Sequence, residues 1–215
     1  MKEYEAYLFD WDGTIARTLE VWLEIVRDLF AAYGITGLTD DKLVESLGAL
    51  KAIALEVGVK PEDIKHFMAD TEKLSREKVP EAELYEGALD ALEALKNQGK
   101  KLALITTGWR STIMHVLELH GLSGVFDIVI TGNDVANIKP DPEGINKALE
   151  YFDVDKNQAV MIGDSTNDLL AARNAGIDSI LSYPPSHQLF YRLPELEVCG
   201  PKRIIAGWNE LLSEA

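Results

Sequence analysis

From Leu84 to Leu181 the chain alternates between helical stripes and short apolar runs, and few folds accept that pattern. Residues 87–98 place Leu89, Leu92 and Leu95 at helical spacing and stop at Gly99, after which KLALIT (101–106) reads as a strand. A helix over 111–120 ends at Gly121, and DIVIT (127–131) is the next strand. Asp141 and Pro142 open a helix carrying Ile145, Ala148, Leu149 and Phe152, followed by the strand AVMIG (159–163). A helix over 166–175 stops at Gly176, and 177–181 is predicted to be the last strand. An earlier apolar run, Tyr7-Leu8-Phe9, ends at Asp10 in YEAYLFDWDGT (4–14). Repeated strand–helix units require right-handed crossovers and a parallel sheet covered on both faces. The expected class is therefore α/β, a doubly wound Rossmann-like sheet. The three-proline stretch 183–194 is predicted to be a loop and 203–212 a terminal helix.

The run from 17 to 79 breaks the alternation. Leu19, Trp22, Leu23, Val26, Leu29, Phe30 and Tyr33 form one helical stripe ended by Gly34. A second helix is expected after Thr39 or Asp40, interrupted at Gly48 and resumed over 51–57. A third is expected to start at Pro61, with Glu62 and Asp63 in its first turn. The expected organisation is a catalytic core of 1–16 and 80–215 with an inserted small all-helical cap, 17–79.

The net charge of −15 on 215 residues speaks against a nucleic-acid partner, whose phosphates it would repel. No apolar run reaches the ~20 residues of a membrane span. Cys199 is the sole cysteine and no secretory-type segment opens the sequence, so a cytoplasmic protein, monomer or homodimer, without a membrane partner is expected.

The strand ends carry complementary polar sets: Asp10 and Asp12; Thr106, Thr107 and Gly108; Asn137 to Pro140 with Lys139; and Gly163 to Asp168 with Asp164. A doubly wound sheet gathers such ends along one edge. Clustered carboxylates repel one another, and Mg²⁺ relieves them while accepting phosphate oxygens. A lysine and a hydroxyl beside them suit phosphoryl transfer. Asp10 is a candidate nucleophile and Asp12 a candidate acid–base.

The motifs DWDGT, ITTG, KPDP and GDSTND, in that order, resemble the four motifs of the haloacid-dehalogenase-like hydrolase superfamily. The stretch GDSTNDLLAARNAG resembles its phosphoglycolate-phosphatase-like branch. The resemblance implies Asp10 as nucleophile and Asp12 as acid–base residue. It implies phosphate binding by Thr106, the amide near Thr107, and Lys139. It implies a Mg²⁺ site drawn from Asp10, Asp12, Asp164 and Asp168, with Asp168 supporting from behind. Lys51, Trp109 and Arg110 are its candidate readers of the leaving group. True dehalogenases lack an aspartate matching Asp12, so phosphoryl transfer is favoured. The implied reaction is hydrolysis of a small phosphorylated metabolite, phosphoglycolate first. Inorganic pyrophosphatase and phosphosugar mutase are rivals, and a non-catalytic phosphate-binding module is a rival of another class. The histidines, His187 in the proline loop included, are given surface or packing roles.

Overall fold

The computed structural model describes residues 3–212. Its chain divides into two compact units, one running up to Arg17 and resuming from Glu83, the other Thr18–Ala82.

The first unit is built on six parallel strands: β1 (Ala6–Phe9), β2 (Lys101–Ile105), β3 (Ile128–Ile130), β4 (Ala159–Gly163), β5 (Asp178–Ser182) and β6 (Arg203–Ile205). Their spatial order is β3-β2-β1-β4-β5-β6. The chain order reverses at β1, which pairs with β2 on one side and β4 on the other. The crevice in which open α/β sheets bind ligands lies at that switch point. All four residues of β1 are buried, as a strand covered on both faces requires. Leu8 packs with Ala103, Met161, Ile145 and Ala172 beneath α6 (Glu143–Phe152) and α7 (Thr166–Ala175). Phe9 faces the other way, stacked on Trp208 at 5.6 Å and edge-on to Phe126 at 6.4 Å. The helices α4 (Ala88–Asn97) and α5 (Arg110–Leu119) flank β2 in sequence.

The sheet is one strand larger than the sequence suggests. Residues Arg203–Ile205, read as the start of a terminal helix, pair in parallel with β5 instead. Ile204, Ile205, Trp208 and Leu211 fit helical spacing as readily as a strand followed by a turn, and a three-residue strand offers no alternation to break the tie. The 183–194 stretch is not bare loop either. It holds a 3-10 turn, Pro185–Leu189, and the start of α8 (Leu193–Glu197). The terminal helix α9 shrinks to Trp208–Leu212.

The helical unit comprises α1 (Leu19–Ala32), α2 (Asp40–Val57) and α3 (Ile64–Lys78). Val26, Leu29, Phe30, Leu43, Ile53, Ala54 and Phe67 form its core. Thr39 caps α2 by accepting from the Lys42 amide at 3.2 Å. The expected break near Gly48 falls one residue later, where Ala49 leaves helical geometry (φ −149, ψ 43). Pro61 to Asp63 does not begin α3. The Asp63 amide closes a turn on the Lys60 carbonyl, and the helix starts at Ile64. Among the described residues no helix is long and apolar enough to cross a membrane.

Two segments lead from the sheet unit into residues 18–82 and back. They lie side by side within the sheet unit: the Arg17 amide donates to the Glu83 carbonyl at 2.8 Å and the Tyr85 amide to Ile15 at 2.9 Å.

Candidate active site

Asp10 stands one residue past β1, and its amide donates to the Ile162 carbonyl of β4 at 2.9 Å. The chain then turns sharply. Gly13 takes φ 72, a left-handed value that side chains resist, and its amide returns to Ala16. Asp12 is half-buried in this turn, while Trp11 is buried.

Lys139 arrives from the segment between β3 and α6, which is fixed from several sides. The Asp141 amide closes a turn on Ile138, Asp141 Oδ1 accepts from the Glu143 amide at 2.9 Å, and Asn174 of α7 donates to the Pro140 carbonyl at 3.0 Å. The Lys139–Pro140 peptide is cis. From there the buried ammonium makes three contacts: Asp10 Oδ1 at 2.6 Å, Asp168 Oδ1 at 2.6 Å and the Ile105 carbonyl at 2.9 Å.

Asp168 has two duties. One oxygen holds Lys139; the other accepts from the Ser165 amide at 3.1 Å and the Ser165 hydroxyl at 2.6 Å, forming a capping box at the start of α7. Gly163 makes room for it, since a Cβ there would run into the Asp168 side chain.

Asp164 differs. It is 1% exposed, and its Oδ2 has no hydrogen-bond partner. Asp10, Asp164 and Asp168 each offer an oxygen within 4.8 Å of the others. Burial pushes Asp10 up to about 8 against the pull of Lys139, with Asp168 and Asp12 adding to the rise. Burial, then the charges of Asp168 and Asp10, pushes Asp164 well above the usual carboxylate range. Burial lowers the Lys139 ammonium, but Asp10 and Asp168 outweigh it and leave it raised. One ammonium is thus too little positive charge for three buried acids. A buried carboxylate oxygen with no donor fits a hard divalent cation such as Mg²⁺, which binds through one or two carboxylates. Asp10 and Asp164 have oxygens to offer it, whereas both Asp168 oxygens are engaged.

Thr106 caps the end of β2. It is buried, and its hydroxyl accepts from the Gly108 amide at 3.0 Å. Thr107 is exposed beside it. Trp109 sits half-buried at the N-terminal cap of α5. Arg110 is occupied elsewhere: its guanidinium donates to Asp134 at 2.8 Å, and Asp134 also accepts from the Thr131 amide and hydroxyl. Lys51 is exposed on α2 of the helical unit. The sheet unit therefore brings together Asp10, Lys139, Asp164 and Asp168, and does not free Arg110 to join them.

A haloacid dehalogenase-like hydrolase family model matches residues 7–182, a span that includes all four motifs. The chain belongs to that family. Among curated relatives, Pyrophosphatase PpaX of Halalkalibacterium halodurans is 33% identical over 81% of this chain and 81% of its own length. Pyrophosphatase PpaX of Bacillus velezensis is 31% identical over 94% of this chain and 99% of its own length. The fold of this haloacid dehalogenase-like hydrolase also matches a solved putative haloacid dehalogenase-like hydrolase from Bacteroides fragilis. That match has a TM-score of 0.88 and 28% identity, covering 98% of this chain and 100% of the other.

Two residues beside this site carried no functional assignment in the sequence. His187 is fully buried, with its ring facing Tyr85, Tyr183 and Tyr191 at centroid distances of 5.9, 6.0 and 5.9 Å. Tyr191 also packs with Leu169 of α7 and Leu181 of β5. The one available signal was the four-residue spacing of Tyr183, His187 and Tyr191, which a proline-rich stretch disguises.

Proposed function

We propose that this hydrolase is a Mg²⁺-dependent phosphatase that works through an aspartyl-phosphate on Asp10. The observation that carries this reading is the Lys139 ammonium shared at 2.6 Å by Asp10 and Asp168, beside the unpartnered Asp164 oxygen. A binding module has no need of a buried carboxylate held by a lysine at a phosphate site; a nucleophile does.

In this reading Asp10 and Asp164 hold the cation. Bound there, Mg²⁺ neutralises phosphoryl oxygens and draws the buried carboxylates into their ionised form. A carboxylate oxygen of Asp10 attacks phosphorus, and the bond from phosphorus to the leaving oxygen breaks. Asp12 gives that oxygen a proton. Thr106 and the amides near Trp11, Asp12 and Thr107 bind the phosphoryl oxygens, and Lys139 holds Asp10 in place. Asp12 then takes a proton from water, the water oxygen bonds to phosphorus, and the bond to Asp10 breaks. Phosphate leaves and Asp10 is restored.

For the substrate, pyrophosphate comes first, because both curated relatives named above are pyrophosphatases. Phosphoglycolate is the second reading, supported by the similarity of GDSTNDLLAARNAG to that branch.

The test is phosphate release from pyrophosphate, phosphoglycolate, hexose phosphates and nucleotides, with Mg²⁺, with chelator, and with Asp10→Asn. Mg²⁺-dependent release that disappears in Asp10→Asn supports the mechanism, and the preferred compound names the substrate. Release that survives the substitution overturns the aspartyl-phosphate.

A further inference from the structure

Lys139 extends from a run, 131–142, that forms turns and bends between β3 and α6 rather than a strand or helix. Its ammonium nonetheless meets Asp10 and Asp168 at 2.6 Å and the Ile105 carbonyl at 2.9 Å. A lysine stem is flexible in water. Here the side chain is only 7% exposed, so the stem runs through packed protein and has no second route to those acceptors. The aim of the ammonium therefore depends on where the backbone of this run is held.

The two ends of the run are tied to their neighbours. The Gly132 amide donates to the Gly108 carbonyl at 3.1 Å, and the Asp134 amide closes a turn on Thr131 at 2.9 Å. At the other end Asn174 holds the Pro140 carbonyl at 3.0 Å. The middle is gathered onto α6 by Glu143, the first residue of that helix. Glu143 Oε2 accepts from the Ala136 amide and from the Asn137 amide, each at 3.0 Å, and Oε1 accepts from the Ala136 amide at 3.1 Å. Lys147, one turn further along α6, donates to Glu143 Oε1 at 2.7 Å and to the Asp134 carbonyl at 2.6 Å. This bracket is charged. Lys147, then the amides of Asn137 and Ala136, hold the Glu143 carboxyl down at about 2, so it is ionised at neutral pH. Amides bond a carboxylate more strongly than a neutral acceptor, and the first turn of a helix favours negative charge.

Resting on the phosphatase reading above, we infer that Glu143 is a positioning residue for Lys139. Its carboxylate fixes the backbone at Ala136 and Asn137, and with it the point from which Lys139 reaches Asp10 and Asp168. Glu143 acts through Lys139 alone, since its own partners are two backbone amides and Lys147. Without it the middle of the run comes away from α6, and the shift passes along two residues to Lys139. Misplacing a group in an active site by about 1 Å, even from a distance, can cost about 100-fold in rate.

The experiment compares wild type, Glu143→Ala and Glu143→Gln. Glu143→Ala removes the bracket, whereas Glu143→Gln keeps its length and one acceptor oxygen and gives up the charge. Melting temperatures are measured first. Then kcat and KM are measured at saturating Mg²⁺, well below those temperatures, with whichever compound of the panel wild type hydrolyses fastest. Expected for Glu143→Ala is a kcat lowered about tenfold or more with KM within about twofold, the pattern of an interaction made in the transition state. Glu143→Gln should fall in between, restored in part by its remaining acceptor. A wild-type kcat in folded Glu143→Ala overturns this inference and leaves the phosphatase reading standing, and so does a lowered melting temperature with kcat unchanged, which marks Glu143 as structural. A rise in KM with kcat unchanged also overturns it. If Glu143→Ala does not fold, Glu143→Gln decides, and a kcat equal to that of wild type overturns the inference. Absence of phosphate release by wild type from every compound overturns the phosphatase reading and this inference together.

Discussion

The Lys139 ammonium and the Asp10 carboxylate meet at 2.6 Å with side chains only 7% and 9% exposed. A pair this deep has little water to fall back on if one partner is lost. Lys139→Met leaves Asp10 and Asp168 buried without their counter-charge, and the cost expected is about 3–5 kcal/mol at neutral pH. Without the lysine, Asp10 favours its protonated form even more. The loss therefore shrinks as pH falls and grows as pH rises. Urea unfolding of wild type and variant at pH 5 and pH 8 checks this, and an equal loss at both would contradict the charge account.

Gly163 is the tightest position in the site. Gly163→Ala drives a methyl into the Asp168 side chain, which is committed to Ser165 and Lys139. We expect a destabilisation of about 1–3 kcal/mol, the range for overpacking. Phosphate release should fall as well, because Lys139 loses a partner. Thermal unfolding and turnover measured on the same preparation test both.

Mg²⁺ should stabilise the fold, and more so at higher pH. Burial raises Asp10 to about 8 and raises Asp164 as well. A raised carboxylate folds most favourably when protonated, so without metal, stability is lost as pH climbs from about 4 to 8. A cation displaces those protons and reverses the loss. At about 100 times its dissociation constant, the ion contributes about 2.7 kcal/mol. Melting temperatures with Mg²⁺ and with chelator should diverge more at pH 8.5 than at pH 6, and Asp164→Asn should close the gap.

His187 works in the opposite direction. Its burial lowers it to about 4 from an ordinary value of 6.5, with the carbonyls of Ser182 and Gly13 opposing the shift. The groups packed on its ring are the phenols Tyr85, Tyr183 and Tyr191. A lowered histidine folds most favourably when neutral, so its contribution is complete above about 6.5 and is lost as pH falls toward 4. The loss is at most about 3 kcal/mol. His187→Gln carries no such titration. The stability difference between wild type and His187→Gln should narrow across this window, and a constant difference would count against the buried neutral ring.

Arg110 and Asp134 form a half-exposed pair on the sheet unit. Removing the arginine costs about 0–1 kcal/mol. With its guanidinium committed to Asp134, Arg110→Ala should leave KM within about twofold, in the range of surface changes away from a site. A tenfold rise in KM would restore Arg110 as a reader of the leaving group.

The sequence made the chemistry easier to see than its supports. Asp10, Asp164 and Asp168 stand just past a strand or in the first turn of a helix, positions that a parallel sheet lines up, whereas Lys139 comes from the segment between β3 and α6. The apolar runs of β1, β2 and β4 are long and buried on both faces, so they were legible. β6 was not: β3 is as short but is soon followed by Gly132, whereas Ile204 and Ile205 run on into Trp208 and Leu211 at helical spacing. The break in α2 was legible because Gly48 weakens a helix, but its placement at Ala49 depends on tertiary packing. The pairing of Arg110 with Asp134 was not legible, because Asp134 lies across a loop that no local pattern predicts. Tyr191 and His187 stayed hidden for a similar reason: only the folded chain brings His187 against Tyr85 and Tyr191 against Leu169.

The two segments that cross between the units are bonded to each other, Arg17 to Glu83 and Tyr85 to Ile15, inside the sheet unit. The sheet unit thus closes its own backbone with no help from residues 18–82. In engineering terms it is a socket. The two points between which residues 18–82 are inserted are thus fixed by the sheet unit's own bonds, so a different module, or a short turn, should be accepted there.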